Sequence, residues 1–110
     1  MAELAGHRER RAQLRVTAAA DGGLRIALAG ELDIAGLPDV AADLDAALGQ
    51  DPQPAEIDLA ELAFMDSSGV AVLIRLANHF QPVRTRRATP AVRRVIEVLG
   101  LADRLGLDGA

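Results

Sequence analysis

The sequence of 110 residues contains no cysteine and no lysine, and all twelve of its basic residues are arginine. The absence of cysteine excludes a disulfide framework, a thiolate metal site and a cysteine nucleophile. The absence of lysine excludes lysine-based catalysis. The two histidines, His7 and His79, are too few for a histidine-built metal site. We therefore expect neither a metal nor another cofactor.

Aromatic residues are also scarce, since there is no tryptophan or tyrosine and the two phenylalanines are Phe64 and Phe80. A surface that stacks the bases of single-stranded nucleic acid needs several aromatic side chains. The isoelectric point of about 5.0 also disfavours binding to phosphate backbones. We therefore expect no nucleic-acid partner.

Long apolar runs are missing, because none approaches the ~20 residues of a membrane-spanning helix. Residues 1–13 mix charged and polar residues and lack the apolar centre of a signal peptide. The absence of cysteine is in keeping with a reducing compartment. These features predict a cytoplasmic protein that does not insert directly into a membrane.

The apolar pattern predicts one domain over residues 13–108, after a flexible lead-in over residues 1–12. Alternating apolar residues predict strands over 14–19 and 24–29, and Asp21-Gly22-Gly23 between them indicates a β-hairpin. The elements predicted after the hairpin are a helix over 37–48, a strand from 55 toward 65, a helix from Val70 to before Pro82, a short strand over 83–88 and a helix over 90–99.

This order of elements predicts an α/β fold. A hairpin followed by strand–helix alternation is typical of a mixed β-sheet with helices packed on it. The segment 83–88 is the weakest strand of the series, because it contains three arginines and few aliphatic residues.

Charges are distributed unevenly along the chain, although the net formal charge is only −4. Residues 26–66 contain ten acidic residues and no basic one, whereas residues 67–96 contain six arginines and no acidic residue. An arginine-rich segment can bind nucleic acid. The acidic isoelectric point instead favours a solvated face or pairing with the acidic segment.

The tetrapeptide Asp66-Ser67-Ser68-Gly69 lies between a predicted strand and a predicted helix. The first backbone N–H groups of a helix are unpaired and carry partial positive charge, so a phosphate on a serine hydroxyl there would meet hydrogen-bond donors. Gly69 has no Cβ and allows another chain to approach closely. The same pattern is typical of a helix cap formed by Asp66 or Ser67, and both interpretations stay open.

Catalytic interpretations have less support. A serine nucleophile in a Gly-x-Ser-x-Gly elbow needs a glycine two residues before it. Here that position is Met65 for Ser67 and Asp66 for Ser68, so neither serine fits the motif. His79 is expected on the surface near a helix end. The sequence also has no phosphate-binding glycine-loop signature.

Two further acidic residues, Glu31 and Asp33, have the residue types of an acid–base pair. Nothing in their spacing distinguishes them from other acidic residues. A solvated loop is therefore the expected structure for this segment.

Three segments occur in a characteristic order: Gly30–Asp33 (GELD), Phe64–Val70 (FMDSSGV), and Thr89–Val95 (TPAVRRV) followed by Leu99–Leu101 (LGL). Together they resemble the landmarks of STAS domains, in particular those of bacterial anti-sigma factor antagonists. The resemblance covers roughly residues 14–107. It implies the mixed sheet and packed helices of the STAS fold.

The resemblance also implies a switch between partners. In this family the unphosphorylated antagonist binds an anti-sigma factor, which is an ATP-dependent serine kinase, and so frees a sigma factor. The kinase phosphorylates the second serine of the motif, here Ser68, and a metal-dependent serine phosphatase reverses the reaction. The protein would be a substrate and a ligand rather than an enzyme. The residues implied to lie in the partner-binding surface are Glu31, Asp33, Asp66, Ser67 and Gly69.

Two alternatives belong to other functional classes. A STAS regulatory subunit of a transporter or signalling scaffold often lacks the acceptor serine, so the intact motif favours the antagonist. A small hydrolase using Ser68 and His79 is disfavoured by the missing elbow. The chain also departs from the family between Gly69 and Pro90, where it is shorter than expected, and we expect either a short second helix or a reduced sheet edge there.

Overall fold

The computed structural model describes residues 11–108. These residues form four strands and three helices. In chain order the elements are β1 (Ala12–Ala18), β2 (Leu24–Leu32), α1 (Leu37–Leu48), β3 (Ala55–Met65), α2 (Ser67–His79), β4 (Val83–Arg86) and α3 (Pro90–Val98).

The strands make one mixed sheet in the order β1-β2-β3-β4. β1 and β2 are antiparallel, with Ala12 opposite Gly30 and Ala18 opposite Leu24. β3 is parallel to both β2 and β4. The predicted hairpin, the mixed sheet and the strand–helix alternation are therefore confirmed.

The parallel pairing brings two connecting segments to the same end of the sheet. Leu32 ends β2 and lies opposite Met65, which ends β3. The backbone N–H of Asp66 donates to the carbonyl oxygen of Leu32 at 3.4 Å. The segment after β2 and the start of α2 are therefore neighbours, although they are far apart in the sequence.

The helices cover one face of the sheet. Right-handed crossovers that progress from β2 to β3 to β4 place α1 and α2 on the same side.

Among residues 11–108, no helix is both long and apolar enough to cross a membrane. The core between sheet and helices is mainly aliphatic, and its largest fully buried side chains include Ile26, Leu28, Leu32, Ile57, Leu59, Leu62, Leu73, Leu76, Phe80, Ile96 and Leu105.

Several element boundaries differ from the sequence prediction. β2 continues to Leu32, so Glu31 is a strand residue and not part of the expected solvated loop, and β4 ends at Arg86 rather than at residue 88. α2 begins at Ser67 rather than at Val70, because apolar periodicity reports only the buried stripe of a helix and not its polar first turn. Ala12, within the predicted lead-in, already belongs to β1 and is 1% exposed. Its burial fixes the start of the strand. Residues 1–10 of the predicted lead-in lie outside the described residues.

The weak edge strand is present as β4, which has four residues. It pairs in parallel with the first residues of β3. Thr85 at its centre is fully buried, and its hydroxyl donates to the carbonyl oxygen of Leu105 at 2.7 Å. On the other side, Thr85 forms an isolated bridge with Leu107. The arginine-rich segment forms a strand because the inward side chain of Thr85 is buried with its hydroxyl hydrogen-bonded. The arginines of the strand, Arg84 and Arg86, are exposed.

The third motif of the sequence, which starts at Thr89, begins α3. Pro90 occupies the first turn, where its fixed φ suits a helix. The hydroxyl of Thr89 donates to the carbonyl oxygen of Leu62 at 3.3 Å. α3 therefore starts near the carboxyl end of β3. It leads away from there, since the segment after it reaches the far end of α2, where Arg104 donates to Asn78.

Candidate functional site

Asp66 is the N-cap of α2. Its Oδ1 accepts hydrogen bonds from the backbone N–H groups of Ser68 at 2.8 Å and Gly69 at 3.3 Å. Both groups would otherwise be unpaired at the helix start. The capping interpretation is therefore confirmed for Asp66, whereas Ser67 is the first residue of the helix itself.

The second carboxylate oxygen of Asp66 has a different role. Oδ2 accepts a hydrogen bond from the backbone N–H of Ile34 at 3.3 Å. Ile34 lies in the segment between β2 and α1. One carboxylate thus ties this segment to the first turn of α2.

The two serines of the motif keep their hydroxyls available. Ser67 is exposed and Ser68 is partly exposed, and neither hydroxyl makes a hydrogen bond to another residue in the part of the chain that the structure describes. Capping by Asp66 and modification of Ser68 are therefore compatible, because the cap uses the backbone N–H of Ser68 and not its side chain.

Ser68 also lines a shallow groove between α1 and α2. The groove has a volume of about 200 Å³. Its walls are mainly apolar, and its two charged residues are Asp45 and Arg75. A partner that reaches the hydroxyl of Ser68 would approach this groove. The apolar lining consists of Leu37, Val40, Ala41, Leu44, Ala71 and Val72.

Glu31 and Asp33 lie beside this site and are held by Arg11. One guanidinium nitrogen of Arg11 lies 2.9 Å from Oε1 of Glu31 and 2.8 Å from Oδ2 of Asp33. The backbone N–H of Arg11 donates to Oδ2 of Asp39 at 2.6 Å. The hydrogen bond from Arg11 lowers the pKa of Asp33, and a further bond from the N–H of Gly36 acts in the same direction.

This pairing gives Glu31 and Asp33 a structural role, and an acid–base pair has no support. Arg11 itself was not singled out by the sequence, because it falls within the predicted lead-in. The sequence signal that would have found it is an arginine directly before an alternating strand. Its partners depend on the β1–β2 register, which the sequence pattern does not specify.

Gly69 has a role within the chain. It is buried in the first turn of α2. A Cβ added there would overlap the carbonyl oxygen of Leu32 and lie 2.5 Å from Cγ of Met65. The close approach that Gly69 permits is therefore that of β2 to α2. A contact between Gly69 and a partner stays a prediction.

A second ionic cluster lies on the sheet face opposite α1 and α2. Asp58 is 6% exposed, and its carboxylate accepts hydrogen bonds from Arg25 at 2.7 Å, from Arg87 and from the N–H of Ala60 at 3.0 Å. Burial alone would raise the pKa of Asp58, but these hydrogen bonds outweigh it and hold the pKa well below its usual range. Glu56 lies nearby, 3.6 Å from Arg86.

These contacts explain part of the uneven charge pattern. Arg86 and Arg87, from the arginine-rich segment, pair with Glu56 and Asp58 from the acidic segment. The interpretation of a counterbalancing face is confirmed for these two arginines. These pairs place the positive charge of both arginines beside carboxylates of β3.

The hydrolase alternative is excluded by distance. Ser68 and His79 lie at opposite ends of α2, which at 1.5 Å per residue separates them by roughly 16 Å. His79 is instead bonded through Nε2 to the carbonyl oxygen of Gln50 at 2.6 Å. It therefore lies at a helix end, as predicted, and cannot act as the base for Ser68.

The family model described as Mlab, STAS domain, matches residues 15–107. The chain therefore belongs to this STAS-domain family, as its three motifs predict. No curated protein sequence matches the chain.

Solved structures show the same fold. An anti-sigma factor antagonist from Mycobacterium paratuberculosis has a TM-score of 0.74 at 24% identity, over 94% of this chain and 90% of that chain. SpoIIAA in its unphosphorylated form has a TM-score of 0.66 at 22% identity, over 87% and 88%. The Bacillus cell fate determinant SpoIIAA in the phosphorylated form has a TM-score of 0.60 at 20% identity, over 87% and 91%. The predicted STAS fold is therefore confirmed.

Proposed function

We propose that the protein is an anti-sigma factor antagonist that binds an anti-sigma factor with ATP-dependent serine kinase activity and is switched off by phosphorylation of Ser68. The observation that carries this proposal is the position of Ser68 in the first turn of α2, with its hydroxyl free and Asp66 capping the helix. The protein acts in this scheme as ligand and substrate, not as an enzyme. Transcription regulation of this kind places it in the cytoplasm.

The position suits phosphoryl transfer from a bound kinase. The hydroxyl oxygen of Ser68 would attack the γ-phosphorus of ATP, lose its proton and leave ADP as the product, with the kinase supplying the nucleotide. Because Ser68 is partly exposed, the kinase can reach it without unfolding of α2. A metal-dependent serine phosphatase would hydrolyse the phosphoserine and restore the free hydroxyl.

The surroundings of Ser68 support an off-switch. A phosphate adds about −1.5 to −2 charges at neutral pH, here close to Asp66 and to the segment that contains Glu31 and Asp33. Backbone N–H groups and the helix dipole favour a negative charge at this position, so the fold is expected to survive. The phosphate would occupy the space over the Ser68 hydroxyl that the partner has to cover and would have to lose its hydration on binding, so the partner would lose affinity.

A second candidate is an unphosphorylated STAS regulatory subunit of a transporter or signalling scaffold. The family match allows it, since the description of the matched family names a STAS domain and not the antagonist role. In this case Ser68 would serve only the local structure of α2.

A kinase assay and an affinity purification separate the two candidates. The full chain, tagged and expressed in its source organism, is purified with its partners from wild-type and Ser68→Ala strains. The antagonist predicts recovery of a kinase-like anti-sigma factor, whereas the alternative predicts transporter subunits. The recovered kinase with ATP should add one phosphate to wild type and none to Ser68→Ala. The control Thr17→Ala, which removes an exposed hydroxyl at the opposite end of the sheet, should accept one phosphate like wild type. Equal phosphorylation of Ser68→Ala would show that the site is wrong.

A further inference from the structure

Large apolar side chains are exposed at two places within residues 11–108. Ile34 is 75% exposed and Phe64 is 49% exposed. Val98 is 73% exposed and Leu99 is 53% exposed, at the end of α3. The two pairs are similar in size and exposure but differ in their distance from Ser68, because α3 leads away from the carboxyl end of β3.

Ile34 and Phe64 lie at the same end of the sheet as Ser68. The backbone N–H of Ile34 is bonded to Asp66, whose other oxygen is bonded to the N–H of Ser68. Phe64 precedes Asp66 by two residues and lies opposite Glu31 in the β2–β3 register. A protein that covers the hydroxyl of Ser68 would therefore lie within reach of these apolar side chains.

The charges at this end restrict the kind of partner. Glu31, Asp33, Asp39 and Asp66 all lie here, and the basic residue that contacts the first three is Arg11. Within residues 11–108, negative charge is therefore in excess at this end. A second copy of the same surface, or an anionic membrane, would be repelled, whereas a surface with arginine or lysine would be attracted.

We propose that Ile34 and Phe64 are the apolar anchors of the docking surface around Ser68, and that the partner is a protein with an apolar pocket edged by arginine or lysine. A central apolar contact surrounded by charged residues is the usual arrangement of a specific interface. Because the surface surrounds Ser68, this inference rests on the proposed function for the identity of the partner as a serine kinase.

Site-specific crosslinking tests the location of the surface. A photoreactive p-benzoylphenylalanine is placed in the full chain at Ala35, next to Ile34, or at Glu97, next to Val98; both positions are exposed. After irradiation in the source organism, crosslinked proteins are identified by mass spectrometry. We expect a crosslinked partner from position 35 and none from position 97, and Ile34→Ala but not Val98→Ala should abolish the crosslink.

Titration with the purified partner measures how much Ile34 and Phe64 contribute to affinity. Ile34→Ala and Phe64→Ala are expected to raise its Kd by about tenfold or more. The matched controls Val98→Ala and Leu99→Ala are expected to change it less than about twofold, because side chains outside an interface contribute nothing to affinity. The wild-type Kd should also rise between about 50 and 300 mM NaCl, because salt screens the attraction between acidic and basic residues.

The outcomes distinguish this inference from the proposed function. A serine-kinase partner that depends on Ile34 and Phe64 supports both. A partner of another class that depends on the same residues supports the docking surface and contradicts the proposed function. No crosslink from position 35, crosslinks alike from positions 35 and 97, or a partner whose Kd is unchanged by Ile34→Ala and Phe64→Ala overturns the docking surface.

Discussion

The carboxylate of Asp66 connects the first turn of α2 to the backbone of Ile34. Oδ1 accepts the N–H groups of Ser68 and Gly69, and Oδ2 accepts the N–H of Ile34 at 3.3 Å. The proposed acceptor serine and the exposed apolar side chain of Ile34 are therefore linked through one side chain. Changes at Ser68 can reach Ile34 through Asp66 without rearrangement of the core.

Substitution of Asp66 separates the two functions of its carboxylate. Asp66→Ala removes both acceptors and is expected to lower the free energy of unfolding by about 1–2 kcal/mol, the usual cost of a lost N-cap. Asp66→Asn keeps one acceptor oxygen for the cap but replaces the other with an NH₂ group, which cannot accept from Ile34. It should cost less than about 1 kcal/mol while hydrogen exchange at the Ile34 amide becomes faster. Urea denaturation and amide exchange measured by NMR check both expectations.

The control for this series is Ser67→Ala. Ser67 follows the cap, and no hydrogen bond of its hydroxyl to another residue is found within residues 11–108. Its substitution should change the free energy of unfolding by less than about 0.5 kcal/mol and leave exchange at Ile34 unchanged. If Asp66→Asn leaves that exchange unchanged as well, the bond to Ile34 does not protect the amide.

Phosphorylation of Ser68 is expected to weaken the hydrogen bond from the backbone N–H of Ile34 to Asp66. The phosphate would attract the N–H groups at the start of α2 and repel the carboxylate of Asp66, so the Ile34 amide should lose its acceptor. With phosphoserine incorporated at position 68 during translation, NMR should show a shifted and faster-exchanging Ile34 amide. The Val98 amide should not change, and circular dichroism should show an intact fold. An unshifted Ile34 amide in the phosphorylated chain would refute this coupling.

Asp58 is expected to make stability depend on pH. Its pKa is lowered in the folded state. Its contribution to the free energy of unfolding is therefore present above the unfolded pKa of about 3.9 and is lost as pH falls through the folded pKa. Asp58→Asn should lower the free energy of unfolding at pH 7 by about 1–3 kcal/mol, because Arg25 and Arg87 lose a charged partner. The difference between variant and wild type should shrink as urea denaturation is repeated toward pH 2.

Glu56→Gln provides the comparison on the same sheet face. Glu56 lies farther from its arginines, at 3.8 Å from Arg25 and 3.6 Å from Arg86, and is less buried than Asp58. Weak pairs of this kind contribute less than about 1 kcal/mol. Equal losses for Glu56→Gln and Asp58→Asn would mean that the short hydrogen bonds to Asp58 add nothing beyond general attraction between charges.

Much of the fold could be predicted because its periodicities are local. Alternating apolar residues in β1 and β2, a turn of Asp21-Gly22-Gly23, and apolar spacings of three and four in the helices each identify an element without knowledge of its neighbours. Asp66 could be recognised as a capping residue for the same reason. The predicted start of α2, Val70, lies three residues after the observed start because Ser67 and Ser68 are polar and add nothing to the apolar pattern.

The remaining features depend on contacts between distant parts of the chain. Arg11 reaches Glu31 and Asp33 only because β1 and β2 pair in a particular register. The burial of Asp58 between two arginines likewise needs the positions of β2 and β4 on either side of β3. A sequence pattern gives the residue types of such clusters but not their partners.

Gly69→Ala tests the close approach of β2 to α2. The new Cβ would overlap the carbonyl oxygen of Leu32, so overpacking of about 1–3 kcal/mol should exceed the helix-propensity gain of up to about 1 kcal/mol. The control Gly49→Ala adds a Cβ no closer than 3.4 Å to any neighbour at φ −79°, and should be neutral or stabilising by less than about 1 kcal/mol. Urea denaturation compares the two. A Gly69→Ala protein as stable as Gly49→Ala would show that α2 can move away from Leu32 at little cost, and that the close approach of β2 to α2 does not require Gly69.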